Sequence, residues 1–364
     1  MKEKGIIVLA GIVVGSLAVA LAVAGNPGNM GVCIACFLRD ITGGLGLHQA
    51  AKLQYVRPEI LGIVIGAFLM AVSSREFKAV GGAGTFTRFV LGFLAMIGFL
   101  VFLGCPLRAV LRLAAGDLNA LLGLAGLAAG VGIGVFFIGK GFSLGRALPQ
   151  NRSNGYLFTF VIAFILLIAL AAPAWFFMSK EGPGAMHAPV LLSLGAGLLV
   201  GALAQRSRLC FVGGIRDLIM FRDTYLFTGM AVIFITALIG SLLVGKFHLG
   251  FENQPLAHTQ GVWNFLGMTL AGWASVLLGG CPLRQLVSAA EGNTDSAVTV
   301  FGLIIGAAFA HNFKLAAAPT GVPVNGQYAV IIGLVVVALI AVALTFVKAP
   351  VQGRVVSSSE QKVC

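Results

Sequence analysis

The sequence predicts an all-α polytopic membrane protein built from two inverted repeats, and three observations predict it. Apolar runs recur along the whole chain, long enough to cross about 30 Å of hydrocarbon, which takes about 20 helical residues. Charge is scarce: 59% of the residues are hydrophobic and 10% charged, at a mean hydropathy of +1.00. That composition leaves no polar shell for a water-solvated domain. Finally, the pentapeptide Gly-Cys-Pro-Leu-Arg occurs twice, at 104–108 and at 280–284.

Taken in order, the predicted spans are 6–24, 59–73, 85–104, 118–138, 156–178, 188–204, 225–245, 262–279, 295–313 and 328–347. That makes ten crossings, or nine if one short run stops short of the far side. The first run follows Met-Lys-Glu-Lys like a signal peptide, but Ala24-Gly25-Asn26 leads into no soluble domain, so it is expected to stay as a span. Several runs are short and rich in glycine, which lets membrane helices approach closely through small faces. The net charge of +12 comes from Lys and Arg spread singly between apolar runs. This is a topology signal, not a nucleic-acid-binding face. With a cytoplasmic N-terminus, sixteen of the 24 Lys and Arg fall on the inside, among them Arg75, Lys78, Arg206, Arg208, Lys348, Arg354 and Lys362. Both termini are therefore expected in the cytoplasm, with lipid as the chain's surround.

The repeats show in spacing as well as letters. Cys33 is followed by Arg39-Asp40, and Cys210 by Arg216-Asp217 at the same distance. The two Gly-Cys-Pro-Leu-Arg motifs then follow those cysteines by 72 and 71 residues, and the match runs on through Ala114 and Gly116 to Ala290 and Gly292. The division expected is a first repeat at 1–140, a linker with one span at 141–186, a second repeat at 187–315, and a final span with a cytoplasmic tail at 316–364. Each repeat carries four spans. The odd span between them turns the second upside down relative to the first.

In each motif the glycine (Gly104, Gly280) is expected to end one helix. The proline (Pro106, Pro282) suits the first position of the next, which puts Cys105 and Cys281 at N-caps. The stretches that follow are too short to span and read as re-entrant half-helices, tolerated at depth only where they line a cavity or are buried in protein. A half-helix N-terminus is an anion site, and Arg108 and Arg284 one turn along add positive charge. A thiol there is a weak donor with a soft sulfur, suited to a ligand whose own surface atom is sulfur or selenium. A single cysteine at a helix junction is as readily explained by packing, since free cysteine is among the most buried residue types. The symmetric set Cys33, Cys105, Cys210 and Cys281 points to a path, because polar groups around broken membrane helices mark one.

Other polar residues carry plainer readings. Arg39-Asp40 and Arg216-Asp217 are open to a supporting role in the path, but an Arg and Asp side by side near a helix end more often tie down a loop, and that is the reading favoured. The five histidines have no metal-ligand spacing. Cys33 and Cys36 form a Cys-x-x-Cys, which is open to a redox or metal reading. Gly213 stands where Cys36 would repeat, so Cys36 is an accessory to the common path. Cys364 has no counterpart. With no Walker-type motif the chain is not expected to hydrolyse ATP. It is expected to be neither an enzyme nor dependent on a cofactor or metal.

Together "RLCFVGGIRD" (208–217), "GGCPLRQLVSAAEGN" (279–293) and Cys33 with Arg39-Asp40 resemble the YeeE/YedE membrane proteins over essentially the whole chain. That resemblance implies thiosulfate uptake, with Cys33, Cys105, Cys210 and Cys281 as relay positions on a pseudo-symmetry axis. The run 25–60 is similar to the YedE-type branch linked to selenium metabolism. The function expected is therefore import of a small selenium- or sulfur-containing anion, with a cytoplasmic carrier protein as a partner. The alternatives are a thiosulfate importer for sulfur assimilation, a membrane thiol oxidoreductase using Cys33 and Cys36, and a scaffold subunit indifferent to the thiols.

Overall fold

Glycine, alanine and branched aliphatic residues fill long runs with no charge to stop them, and the runs become helices that end where a Pro, a Gly or a polar cluster interrupts. The computed structural model describes residues 2–347; Lys348, Arg354, Lys362 and Cys364 lie outside the described residues. In order the helices are α1 (Lys2–Val23), α2 (Ile34–Gly44), α3 (Pro58–Ser73), α4 (Thr85–Phe102), α5 (Pro106–Ala114), α6 (Asn119–Gly139) and α7 (Arg152–Ala171). They continue as α8 (Val190–Ser207), α9 (Phe211–Phe221), α10 (Tyr225–Leu243), α11 (Gly261–Leu277), α12 (Pro282–Ala290), α13 (Thr294–Asn312) and α14 (Val324–Phe346). One antiparallel ladder of two residues a side pairs β1 (Val80–Gly81) with β2 (Leu148–Pro149), setting Val80 opposite Pro149 and Gly81 opposite Leu148.

All ten expected spans are helices, and nine helical runs among the described residues are long and apolar enough to cross a membrane. The tenth, α3, has 16 residues, about 24 Å at 1.5 Å per residue. One boundary differs. The span expected at 156–178 is helical over Arg152–Ala171, starting where the Asn151 side chain accepts from the Ser153 N–H at 3.4 Å. Its end comes early because Pro173 has no N–H to donate and restricts the residue before it. The apolar letters beyond, Trp175 and Phe177, stand exposed after the helix has stopped. Leu157, Phe160, Phe164 and Leu167 on α7 are each more than 60% exposed, an apolar surface that only lipid or a partner can cover.

The long helices run alternately between two faces. Segments 24–33, 45–57 and 172–189 meet on one of them, where the Ala188 N–H donates to Asn26 Oδ1 and Arg57 donates to the Met186 and Pro183 carbonyls. The turns at 115–118, 244–260 and 313–323 join the same face through His248 N–H to Ala115 O, Gln260 Oε1 to the Val322 N–H, and Asn312 to Leu47 O. On the opposite face Lys78 N–H donates to Glu291 O, Gln150 N–H to Ala79 O, and Asp295 accepts from the Gly82 and Ala83 N–H groups. The half-helices follow the same rule: α2 and α5 end at the first face, α12 at the second.

The two repeats interlock. Helix α1 packs along α10 as α8 packs along α3, and α6 along α11 as α13 along α4. These exchanged pairs are the mark of a pseudo-two-fold relation, with α4 against α11 at its centre. Close approach sets glycine positions: a Cβ on Gly126 or Gly130 of α6 would collide with the Phe265 and Thr269 carbonyls of α11. Helix α2 touches α12 and α5 touches α9, so half-helices of opposite hang meet inside the bundle.

Candidate functional site

The first half-helix enters the protein because residue 31 has no side chain. Gly31 rests on the Ala18 carbonyl of α1, where a Cβ would have no room, so the chain folds back along α1 after leaving it. This carries Cys33 to full burial. Cys33 takes an extended backbone (φ −143°, ψ 110°) and its Sγ accepts from the Cys36 N–H at 3.4 Å, an N-cap made with sulfur in place of the usual oxygen. Cys210 repeats it, with φ −153°, ψ 119°, and the Gly213 N–H at 3.2 Å from Sγ.

Cys105 and Cys281 stand at the N-cap positions of α5 and α12, each followed by proline, but neither side chain caps its helix. Their environment is the other cysteine. Cys33 Sγ and Cys105 Sγ are 3.8 Å apart, and the Cys281 N–H donates to Cys210 Sγ at 3.4 Å. The four expected positions thus form two equivalent pairs, one in the half-helices of the first face and one in those of the second. All four are free thiols and buried.

The glycine of each motif has a different task from the one expected. The residue in the left-handed conformation is one earlier, Leu103 (φ 63°) in the first motif and Gly279 (φ 87°) in the second. Leu103 therefore carries strain a glycine would not. Gly104 and Gly280 leave room: a Cβ there would press on the side chains of Arg108 and Arg284, and at Gly280 would also touch Cys210 Sγ.

The two motif arginines differ. Arg108 is 1% exposed. Its Nη1 donates to Cys36 Sγ at 3.4 Å and to the Leu103 carbonyl, its Nε to Asn29 O at 3.1 Å, and its Nη2 to Leu256 O at 3.2 Å. No carboxylate among the described residues pairs with it, so its charge is met only by dipoles and a thiol. Arg284 is held by both oxygens of Glu291, at 2.8 and 3.3 Å.

Arg39 and Asp40 do tie a loop. Asp40 accepts from Arg39 at 2.7 Å and from Arg57 at 2.8 Å, and Arg57 anchors segment 172–189. Arg216–Asp217 is the more exposed copy, at 2.8 Å. Histidines 48 and 258 bond the Arg39 and Val101 carbonyls. Burial pushes both imidazoles below their ordinary pKa, which keeps them neutral at pH 7. Sequence reasoning missed the fully buried Arg112–Asp117 pair at 2.6 Å, which clamps the end of α5 to Phe102 O and Asn119. It also missed Glu291 and Arg208. The signal was present in the repeat itself, where Glu291 and Arg208 stand opposite Ala115 and Gly31.

Paired broken helices, interlocked repeats and an apolar exterior define a polytopic all-helical membrane protein. Comparison with known proteins narrows this. Residues 206–362 match the family described as sulphur transport. The chain is 33% identical over 109 residues to the thiosulfate transporter TsuA of Spirochaeta thermophila, covering 29% of this chain and 32% of that protein. It is 28% identical over 124 residues to the thiosulfate transporter TsuA of Escherichia coli, covering 33% and 34%. The matches thus span about a third of the length of these relatives, and the family match lies in the second half of the chain.

Proposed function

We propose that this protein imports a small anion carrying sulfur or selenium across the bacterial inner membrane, with the first face outside, the second face and both termini inside. The observation that carries the proposal is the pairing of free thiols at the N-termini of broken helices, Cys33 with Cys105 at 3.8 Å and Cys210 with Cys281 in the equivalent place. A dehydrated anion needs positive potential at every stop. Helix N-termini supply about half a charge each, and Arg108 adds a full one. Thiols contribute weak S–H donors that meet a soft terminal atom without holding it tightly, as a permeant must leave each site it enters. Transfer from Cys33/Cys105 to Cys210/Cys281 then requires no covalent step, and the chain works as a transporter and not as an enzyme.

Thiosulfate is the first substrate to test because both relatives bear its name; a selenium anion is the second, resting on the resemblance of residues 25–60. Uptake of labelled thiosulfate and of selenite into proteoliposomes, side by side, decides between them. Single Cys→Ser changes at 33, 105, 210 and 281 are expected to cut uptake at least about tenfold, because the hydroxyl loses the soft sulfur and, as a stronger donor, holds the anion where the thiol would release it. Normal uptake by Cys105→Ser and Cys281→Ser would sink the thiol path. Dependence on Cys33 and Cys36 alone, with thiol oxidation accompanying turnover, would favour the oxidoreductase instead.

A further inference from the structure

Two residues that the first repeat lacks meet on the second face, on the segments that carry the second thiol pair. Arg208 lies two residues before Cys210, where the first repeat has Gly31, and Glu291 ends α12, where the first repeat has Ala115. Glu291 Oε1 accepts from Arg208 Nη1 at 2.6 Å, while its two oxygens also engage Arg284 of the Cys281 half-helix at 3.3 and 2.8 Å. One carboxylate therefore sits between the arginines that flank both cysteines. The far side of Arg208 reaches Glu76 at 2.7 Å. Beside this cluster the second face opens into a cavity of about 410 Å³ lined by Arg75, Glu76, Lys78, Arg208, Ser288 and Glu291. The first pair has no such carboxylate, and Arg108 there is satisfied by carbonyls and a thiol.

We propose that Arg208 and Arg284 form an exit site for the transported anion, and that Glu291 is its resident competitor. This rests on the transport reading above. At rest the carboxylate occupies both guanidinium groups. An anion arriving from Cys210 and Cys281 takes its place, with the two arginines as donors. Return of the carboxylate expels the anion into the cavity. The anion takes the carboxylate's place as the carboxylate leaves, so neither guanidinium is left without a counter-charge during the exchange. The asymmetry between the repeats distinguishes the two ends: Arg108 is opposed by carbonyls and a thiol, whereas Arg208 and Arg284 are opposed by a rival carboxylate, and the anion gradient sets the direction of net flux.

The test is titration of thiosulfate, and separately of selenite, into the purified full-length protein, combined with proteoliposome uptake. If Glu291 holds the arginines about nine-tenths of the time, Glu291→Gln raises apparent affinity about tenfold. Uptake by that variant then saturates at lower concentration with a lower maximum rate, because expulsion is lost. Arg208→Gln, which leaves the Arg284–Glu291 pair intact, weakens binding several-fold and decides the matter should Glu291→Gln fail to fold. Unchanged affinity in these variants, in a wild-type protein that transports thiosulfate or selenite, overturns the exit site alone. A wild-type protein that neither binds nor transports either anion overturns the transport reading on which it rests.

Discussion

At the scale of single residues, chemistry and structural duty are hard to separate at Arg108, which serves both. Its guanidinium ties the Leu103, Asn29 and Leu256 carbonyls from three segments and points Nη1 at Cys36 Sγ. A planar fork with five donors can do this, and an ammonium cannot. Arg108→Lys retains charge but loses most of these bonds, so it is expected to lower thermal stability while keeping part of the uptake. Arg108→Gln removes the charge as well. Since a hydrogen bond to a charged group is worth about 1.5–3 kcal/mol, the KM for thiosulfate should rise about tenfold or more beyond that of Arg108→Lys. The check is the concentration dependence of uptake, with melting curves of both variants alongside. Equal KM values in the two variants would mean that Arg108 acts only as a clamp. Cys36 is the opposite case, a thiol whose partner is this arginine and whose counterpart in the second repeat, Gly213, offers none.

At the scale of elements, the buried end of α2 is held by close backbone contact with α1. Gly31 against the Ala18 carbonyl is the tightest instance. Gly31→Ala must push the entry to α2 away from α1, moving Cys33 from Cys105, and overpacking of this sort costs about 1–3 kcal/mol. Gly195→Ala on α8, where a Cβ would meet open space, is the control and should hold or slightly raise stability. Thermal melts of the full-length variants separate the two, and an unchanged Gly31→Ala melt would show that the re-entry of the chain is not set by that contact. The helices themselves were legible from hydropathy because lipid leaves no alternative: a run without charge must satisfy its backbone internally. The breaks were legible because Cys-Pro appears twice at one spacing. What could not be read was which residue takes the strained conformation. Leu103 does so although a glycine follows it, because Gly104 is needed to make room for Arg108. Nor could the partners of charged residues be read: Arg57 with Asp40, and Glu291 with Arg208, join segments 17 and 83 residues apart, and nothing local announces such pairs.

At the scale of the whole molecule, the inverted arrangement sets the same pentapeptide at the start of a half-helix running to each face. Exchanged packing of α1 with α10, of α3 with α8 and of α6 with α11 makes each repeat incomplete without the other, so the thiol pairs are fixed relative to one another by contacts between the repeats. The symmetry is broken at the motif arginines, where Arg284 has a carboxylate and Arg108 has carbonyls and a thiol. It is also broken in the outer helices, since α7 packs on α3, α12 and α13 whereas α14 packs on α4, α6 and α11. The arrangement makes a geometric claim that can be checked without any substrate. Lys180 and Glu252 belong to segments of the first face, and Ser143 to a segment of the second, and the side chains of Lys180, Glu252 and Ser143 are accessible. In a Cys364→Ser background, where the remaining native thiols are buried, Lys180→Cys and Glu252→Cys should react with an impermeant maleimide added to intact cells. Ser143→Cys should react only after the membrane is opened. The positive-inside bias predicts this orientation, and reaction of the three in the reverse pattern would turn the transport direction around while leaving the fold intact. Reaction of all three from outside would mean that the long helices do not alternate, and the inverted repeat, with both thiol pairs on a common path, would fall with it.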